Sequence, residues 1–131
     1  MTALDTMART VYGEARGEGD IGMAGVAWVI KNRSDKPGWW GTDVESVCLK
    51  KFQFSCWLEN DPNCAKLKAV TLNDPYFAKA TNICSAVLGG TIPDPTGGAT
   101  SYYERHMVPM PNWAVGKTPI AHIGNHFFFK V

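Results

Sequence analysis

From Leu4 to Ile30 the apolar residues recur at helical spacing in two runs, and only the link "GEARGEGD" (Gly13 to Asp20) separates them. Leu4, Met7, Ala8, Val11 and Ala15 form the first stripe. Met23, Val26, Ala27 and Ile30 form the second. Thr2 and Asp5 give a T-x-x-D start in which the acid stands in for the usual Glu or Gln of a capping box. Gly17 is the expected stop of the first helix, and Asp20 is the expected N-cap of the second, which ends near Asn32–Arg33. Small residues in "GMAGVAWVI" let a neighbouring backbone approach that second helix closely.

The remainder of the chain is more broken. Asp43 or Thr42 is placed to cap a short helix through Val47. "FQFSCW" alternates apolar and polar residues over too short a run to assign. Asp74 followed by Pro75 is an N-cap with proline at the first helical position, and that helix continues through Phe77, Ala80, Ile83 and Val87 to Gly89–Gly90. "ATSYYE" and "HFFFKV" read as strands joined by a long proline-containing loop. Helices first and a small antiparallel sheet near the C-terminus define a mainly helical α+β class.

A chain of 131 residues is expected to form one domain, residues 1–131, burying roughly two-thirds of its unfolded surface. Hydrophobic residues at 45% against 19% charged place it among globular chains. Net charge is +1 and the longest basic cluster is Lys50–Lys51, so nothing favours nucleic acid or an anionic membrane as partner. The N-terminus "MTALDTMART" lacks the basic start and apolar run of a signal peptide, which leads to the expectation of cytosolic folding. Cys48, Cys56, Cys64 and Cys84 are expected as buried thiols, with a single disulfide as the alternative.

Glu14 is the residue with the clearest chemical potential. Helical spacing sets it three residues after Val11 and seven after Met7, on or beside the apolar stripe. Loss of water disfavours a carboxylate's charge, which suits such a group to general acid work; pairing with Arg9 or Arg16 is the structural alternative. Glu18, four residues on, would share its face in a continued helix, but Gly17 and Gly19 argue against continuation, so capping or docking the following turn is the favoured role. Two rival chemistries are weaker. "FSCW" partly echoes the surroundings of a papain-type nucleophile at Cys56, with Asn125 and His126 downstream. His122-x₃-His126 has zinc-ligand spacing but includes Gly124 and runs into a β-prone segment. No phosphate-loop or dinucleotide pattern occurs. Trp39, Trp40, Trp57, Trp113, Tyr102 and Tyr103 can stack on sugar faces or pack in the core.

Taken in order, several blocks resemble the cell wall hydrolases related to the spore-cortex lytic enzymes SleB and CwlJ. "MARTVYGEARGE" with "GMAGVAWVIKNR" is similar to that family's helix–E-A-R-G-E–helix opening. "FQFSCW" resembles its Gln-Phe-Ser segment, "DPTGGATSYYE" its Asp-Pro-Thr-Gly-Gly-Ala-Thr stretch, and "IGNHFFFK" its closing strand. The resemblance spans Met7 to Lys130. It implies a lysozyme-like, lytic-transglycosylase-like fold that cleaves peptidoglycan between N-acetylmuramic acid and N-acetylglucosamine, with Glu14 as catalytic acid and no metal or other cofactor. The inferred mechanism needs one carboxyl and yields a 1,6-anhydro product; a hydrolytic muramidase on the same fold and a Cys56-dependent amidase or peptidase are the alternatives.

Within that reading, Gln53 and Ser55 hydrogen-bond sugar rings or acetamido groups, Tyr103 orients Glu14 or stacks on the muramic ring, and Asn125 and His126 border the cleft. Glu18 remains open as nucleophile or water-activating base. Compared with secreted relatives, the chain is expected to have neither a leader nor wall-binding repeats, and it carries Gly19–Asp20 where many have a proline. These departures lead to the expectation of a monomeric phage-type endolysin held in the host cytoplasm before release to the wall, with no stable membrane association.

Overall fold

The computed structural model describes residues 1–131. Five helices come first: α1 (Ala3–Ala15), α2 (Gly19–Asp35), α3 (Val44–Leu49), α4 (Pro62–Ala69) and α5 (Pro75–Leu88). Three strands follow, β1 (Ser101–Glu104), β2 (Ala121–Ile123) and β3 (His126–Phe129), in an antiparallel sheet of order β1-β3-β2. This is the mainly helical α+β arrangement expected, with the sheet at the end of the chain.

α1 is the hub, packing against α2, α3, α4 and α5. Met7, Ala8 and Val11 are fully buried, as are Val26, Ala27 and Ile30 of α2 and Ala80, Cys84 and Val87 of α5. The two apolar stripes therefore meet in one core with α5. The start of α1 is capped by Thr2, whose hydroxyl accepts from the Asp5 N–H at 3.0 Å. Asp5 does not close the box in return; its carboxylate pairs with Arg9 one turn on, at 3.0 Å.

The second helix departs from expectation at both ends. It begins at Gly19, so Asp20 lies inside the first turn and pairs with Lys79 of α5 at 2.9 Å instead of capping. It continues past Arg33 to Asp35, because the Trp40 indole N–H lies 3.0 Å from the Arg33 carbonyl and 2.9 Å from that of Lys36, satisfying groups a helix end leaves open. The left-handed turn between the helices is at Gly19 (φ 78°) rather than Gly17.

Asp43, not Thr42, caps α3, in a full capping box with Ser46. Asp74 caps α5 as expected, its carboxylate accepting from the N–H groups of Tyr76 and Phe77. α4 repeats the same Asp-Pro device at Asp61–Pro62, a helix not anticipated from the pattern. "FQFSCW" forms turns and a short 3-10 segment, Ser55–Trp57, rather than a strand.

The D-P-T-G-G-A stretch is organised around one side chain. Asp94 accepts from the N–H and hydroxyl of Thr96 and from the Gly98 N–H, and Asn32 of α2 donates to it at 2.9 Å. Burial pushes this carboxyl up, but those hydrogen bonds outweigh it and hold the acid below its ordinary value. The loop thereby delivers β1 alongside α2, where Phe128 of β3 is fully buried against Val29 and Ala99.

One glycine sets the distance between α1 and the segment leading to α4. A Cβ on Gly13 would lie 2.8 Å from both the Cys56 Cβ and the Leu67 Cδ2. Gly13→Ala is expected to destabilise by about 1–3 kcal/mol despite its better helix propensity, because an atom bonded to the backbone cannot swing aside. A drop in the urea midpoint with unchanged slope would check this; no change would mean the Ser55–Trp57 segment moves freely.

Candidate active site

α1 ends one residue after Glu14, and the half-buried side chain emerges where the helix meets the sheet. Tyr102 of β1 donates its hydroxyl to Glu14 Oε1 at 2.7 Å. Three cavities run along this junction. The first, about 400 Å³, is lined by Glu14, Arg16, Glu18, Asn63, Glu104 and His126 among others. The second, about 430 Å³, shares Glu14, Glu104 and His126 with the first and adds Gln53, Ser55 and Tyr103. The third, about 420 Å³, shares Arg33, Gln53, Tyr102 and Trp113 with the second and reaches Trp39. They form one groove of three chambers, with Glu14 at the boundary of the first two. An open, multi-chambered groove with carboxylates at one end and aromatic rings at the other suits an extended polar polymer.

Glu18 is in the groove but not free. Its Oε1 accepts from the Asn125 N–H at 2.8 Å and its Oε2 from the Asn125 side-chain amide at 3.1 Å. Glu18 stands at the N-cap position of α2, yet makes no cap bond, because its carboxylate is turned to the β2–β3 hairpin. Gly124 (φ 56°) leaves the room for this, since a Cβ there would lie 2.9 Å from Glu18 Oε1. Glu18 therefore neither caps nor docks the turn that follows it, as the sequence suggested, but is held by the distant β2–β3 hairpin. A nucleophile with both oxygens engaged is poorly disposed to attack.

His126 is buried beside them, its Nδ1 3.2 Å from Glu18 Oε1 but not aligned for a hydrogen bond. Burial lowers its pKa, outweighing the opposing charges of Glu18, Glu14 and Glu104, so the ring is neutral near pH 7. Its edge packs on Tyr102, ring centroids 5.0 Å apart.

The tyrosine assignment shifts by one residue. Side chains alternate along β1, and the register pairs Glu104 with His126 and Tyr102 with Phe128, so these four share one face. Tyr103 points to the opposite face, stacked on Phe129 at 5.5 Å with Trp113 against its edge. Tyr103 lines the second chamber, but the contact to Glu14 belongs to Tyr102. Of the other rings, Trp39 and Trp113 line the groove, whereas Trp40 is buried in the core and Trp57 donates to Thr10.

Two charged lining residues escaped the sequence reading. Glu104 is a second carboxylate of the first two chambers. Burial raises its pKa, but hydrogen bonds from the His106 ring (2.6 Å) and N–H (2.9 Å), together with the His106 charge, hold it below the ordinary value. Arg33 lies between the second and third chambers. Strand alternation was the available signal for Glu104; nothing in the local pattern marked Arg33 as more than a helix-end charge.

The rival chemistries find no geometry. All four cysteines are buried thiols. Burial and the neighbouring Glu14 push Cys56 well above the ordinary thiol range, the reverse of an activated nucleophile. His122 and His126 lie on adjacent antiparallel strands rather than on one helix, and no group of three metal-binding side chains forms around them.

The chain was compared with known proteins. A family model described as Cell Wall Hydrolase matches residues 17–129, starting three residues after Glu14. The spore cortex-lytic enzyme of Halalkalibacterium halodurans is 32% identical over 126 residues, covering 95% of this chain and 34% of that protein. The chain thus spans about a third of the length of that curated relative. Among solved structures, the catalytic domain of the germination-specific lytic transglycosylase SleB from Bacillus anthracis superposes with a TM-score of 0.75 at 28% identity, covering 98% of this chain and 93% of that one. The catalytic domain of Bacillus cereus SleB gives 0.77 at 28% identity, with 98% and 89% covered.

Two outcomes are expected from this geometry. Glu18→Ala strands the Asn125 N–H and is expected to cost about 2–4 kcal/mol, with amide exchange in the Ala121–Phe129 hairpin accelerating before the helices. Equal acceleration everywhere would show that the clamp holds nothing in particular. The second concerns pH. Because His126 binds its proton less readily folded than unfolded, the unfolded chain takes up the proton first. Stability should therefore fall as pH drops through about 6.5, the ordinary histidine value, and this part of the loss should end below the lowered native value. Denaturant midpoints at pH 7.5 and 5.5 should differ less in His126→Gln than in the unsubstituted chain; equal differences would sink the assignment.

Proposed function

The chain belongs to the cell wall hydrolase family, and from that premise we propose that it is a peptidoglycan lytic transglycosylase with Glu14 as its acid and base. The observation that carries this reading is the position of Glu14, at the boundary of two chambers of an open groove with Tyr102 hydrogen-bonded to one of its oxygens. The likeness to two SleB catalytic domains supports it.

The chemistry follows from that geometry. The Tyr102 hydroxyl occupies Oε1, leaving Oε2 to carry the exchangeable proton. Glu14 donates that proton to the glycosidic oxygen between N-acetylmuramic acid and N-acetylglucosamine. The bond from the muramic anomeric carbon breaks through an oxocarbenium-like state. Glu14, now a carboxylate, takes the proton of the muramic 6-hydroxyl as that oxygen bonds to the anomeric carbon. The products are a 1,6-anhydromuramic end and a new 4-hydroxyl, with no water consumed and the acid restored. Acid–base help of this kind contributes about 10²–10⁴-fold.

A hydrolytic muramidase is the second reading, and the observation favouring it is Glu104 rather than Glu18. Glu104 shares both chambers with Glu14 and is held ionised, as a carboxylate that activates water must be. Gln53, Ser55 and Tyr103 are proposed to contact the sugars of the second chamber, and Asn125 with Glu18 to fix its neighbour's wall. The cellular setting belongs to the same proposal: a monomeric phage-type endolysin that acts on the wall from the host cytoplasm once the membrane is breached. No helix of the chain is long and apolar enough to cross a membrane.

Mass spectrometry of fragments released from purified sacculi tests the reading. Anhydro-muropeptides are expected from the unsubstituted chain and none from Glu14→Gln. Tyr102→Phe should keep the fold and lose about 10- to 100-fold in kcat, the worth of one hydrogen bond to a charged group. Hydrated muramic ends would favour the muramidase, and an active Glu14→Gln would overturn the proposal.

A further inference from the structure

Arg33 is a cation with no anion. It is only 6% exposed, yet no Asp or Glu pairs with it. Its Nε donates to the Thr100 carbonyl at 2.6 Å, and its Nη2 makes a long contact, 3.4 Å, to the Ser101 hydroxyl. Nη1 has no partner at all. Three of the five guanidinium N–H groups thus lack an acceptor in the protein. Its plane is packed between Trp40 and Phe54, each ring centroid 5.5 Å away, which fixes its position but leaves its charge unbalanced. The ionisable groups acting on it are the Tyr102 phenol and Cys48 thiol; burial raises the phenol's pKa and pushes the thiol's up to about 12, so both are neutral near pH 7.

A buried charge without a partner is among the costliest arrangements in a folded chain, and arginine cannot escape it by losing its proton. Helix-end packing does not call for it, because an uncharged side chain would fill the space between Trp40 and Phe54. Arg33 also lines both the second and third chambers, so what it lacks can arrive from the groove. A neutral carbonyl would satisfy N–H groups but leave the charge uncompensated; a carboxylate does both, in the two-pronged geometry guanidinium favours.

We propose that Arg33 is an anion subsite of the groove, taking a carboxylate carried on the substituent of a muramic acid residue. This rests on the glycan reading of the groove. Two carboxylates fit the chemistry: that of the lactyl group where no peptide is attached, and that of the peptide where one is. The subsite shares a chamber with Glu14, so an anion held there fixes which sugar faces the acid.

The test is an NMR titration of the unsubstituted chain that follows the Nε–H signal of Arg33. The probes are N-acetylmuramic acid, its methyl ester, N-acetylmuramoyl-L-alanine and N-acetylglucosamine. At least one of the two acids is expected to move the Arg33 signal and to bind about 10- to 100-fold more tightly than the ester or N-acetylglucosamine. The tighter of the two acids identifies which carboxylate is taken. Arg33→Lys, which keeps the charge but loses the fork, should erase most of that preference. Because the comparison among ligands needs no variant, it stands even if position 33 tolerates no change. Equal binding of acid and ester, or no response at Arg33, overturns the inference; if sacculi are still cleaved with Glu14 required, the function survives it. Failure of every probe together with intact sacculi would remove both.

Discussion

The clamp between Glu18 and Asn125 is the contact on which the groove depends. It joins the turn between the first two helices to the tip of the β2–β3 hairpin, residues 107 apart in the chain. The hairpin is otherwise a weak element: two strands of three and four residues are at best marginal on their own in water. Two glycines bear the imprint of the clamp. A Cβ on Gly124 would meet Glu18 Oε1 at 2.9 Å, and one on Gly22 would meet the Glu18 Cβ at 2.5 Å. The carboxylate is thus set in a slot that its surroundings keep open, and the missing N-terminal side-chain cap of α2 is the local cost.

The far side of the sheet is held differently, by polar side chains of α2 reaching into the loop before β1. Asn32 donates to the Asp94 carboxylate and to the Ala99 carbonyl, and Arg33 donates to the Thr100 carbonyl. One turn of helix therefore fixes the start of β1, and the strand then carries Tyr102 to Glu14 across 88 residues of sequence. Side-chain bonds to backbone, rather than a large apolar interface, set the geometry where helices meet sheet. Such bonds are directional, so the groove wall is placed more narrowly than packing alone would place it.

What could be read in advance follows from which signals are local. The two opening stripes, the Asp74–Pro75 start of α5 and the Asp43 cap rest on neighbours within a turn or two, and all are found. The Asp61–Pro62 start of α4 carried the same signal but preceded only eight helical residues, too few for periodicity to show. β2 is three residues long and pairs only with β3, so nothing in its own sequence marks it. The tyrosine shift is a one-residue ambiguity of strand facing: "SYYE" offers two rings on opposite faces, and only the burial of Phe128 on the partner strand decides which one looks at Glu14. Glu18 illustrates the deeper limit, since its partner is fixed by tertiary structure alone.

Three carboxylates face the first chamber, and their partners separate their roles. Glu18 has both oxygens engaged by Asn125. Glu104 has one oxygen on the His106 ring and the other on the His106 N–H. In Glu104 those hydrogen bonds hold the carboxyl below its ordinary value. Glu14 differs: Tyr102 engages Oε1, and Oε2 accepts no N–H or O–H from the protein. A group that must both give and take a proton within one turnover needs an oxygen that is not already committed. Only Glu14 keeps one, and it keeps it where two chambers meet. In the proposed reaction, ionised Glu104 is a fixed negative charge lining the same chambers as Glu14, where an oxocarbenium-like carbon would develop its positive charge. Preorganised charge of that kind stabilises a transition state without moving. On the proposed reading, Glu14 at the helix end supplies the exchangeable proton, and Glu104, held ionised by His106, supplies the field around it.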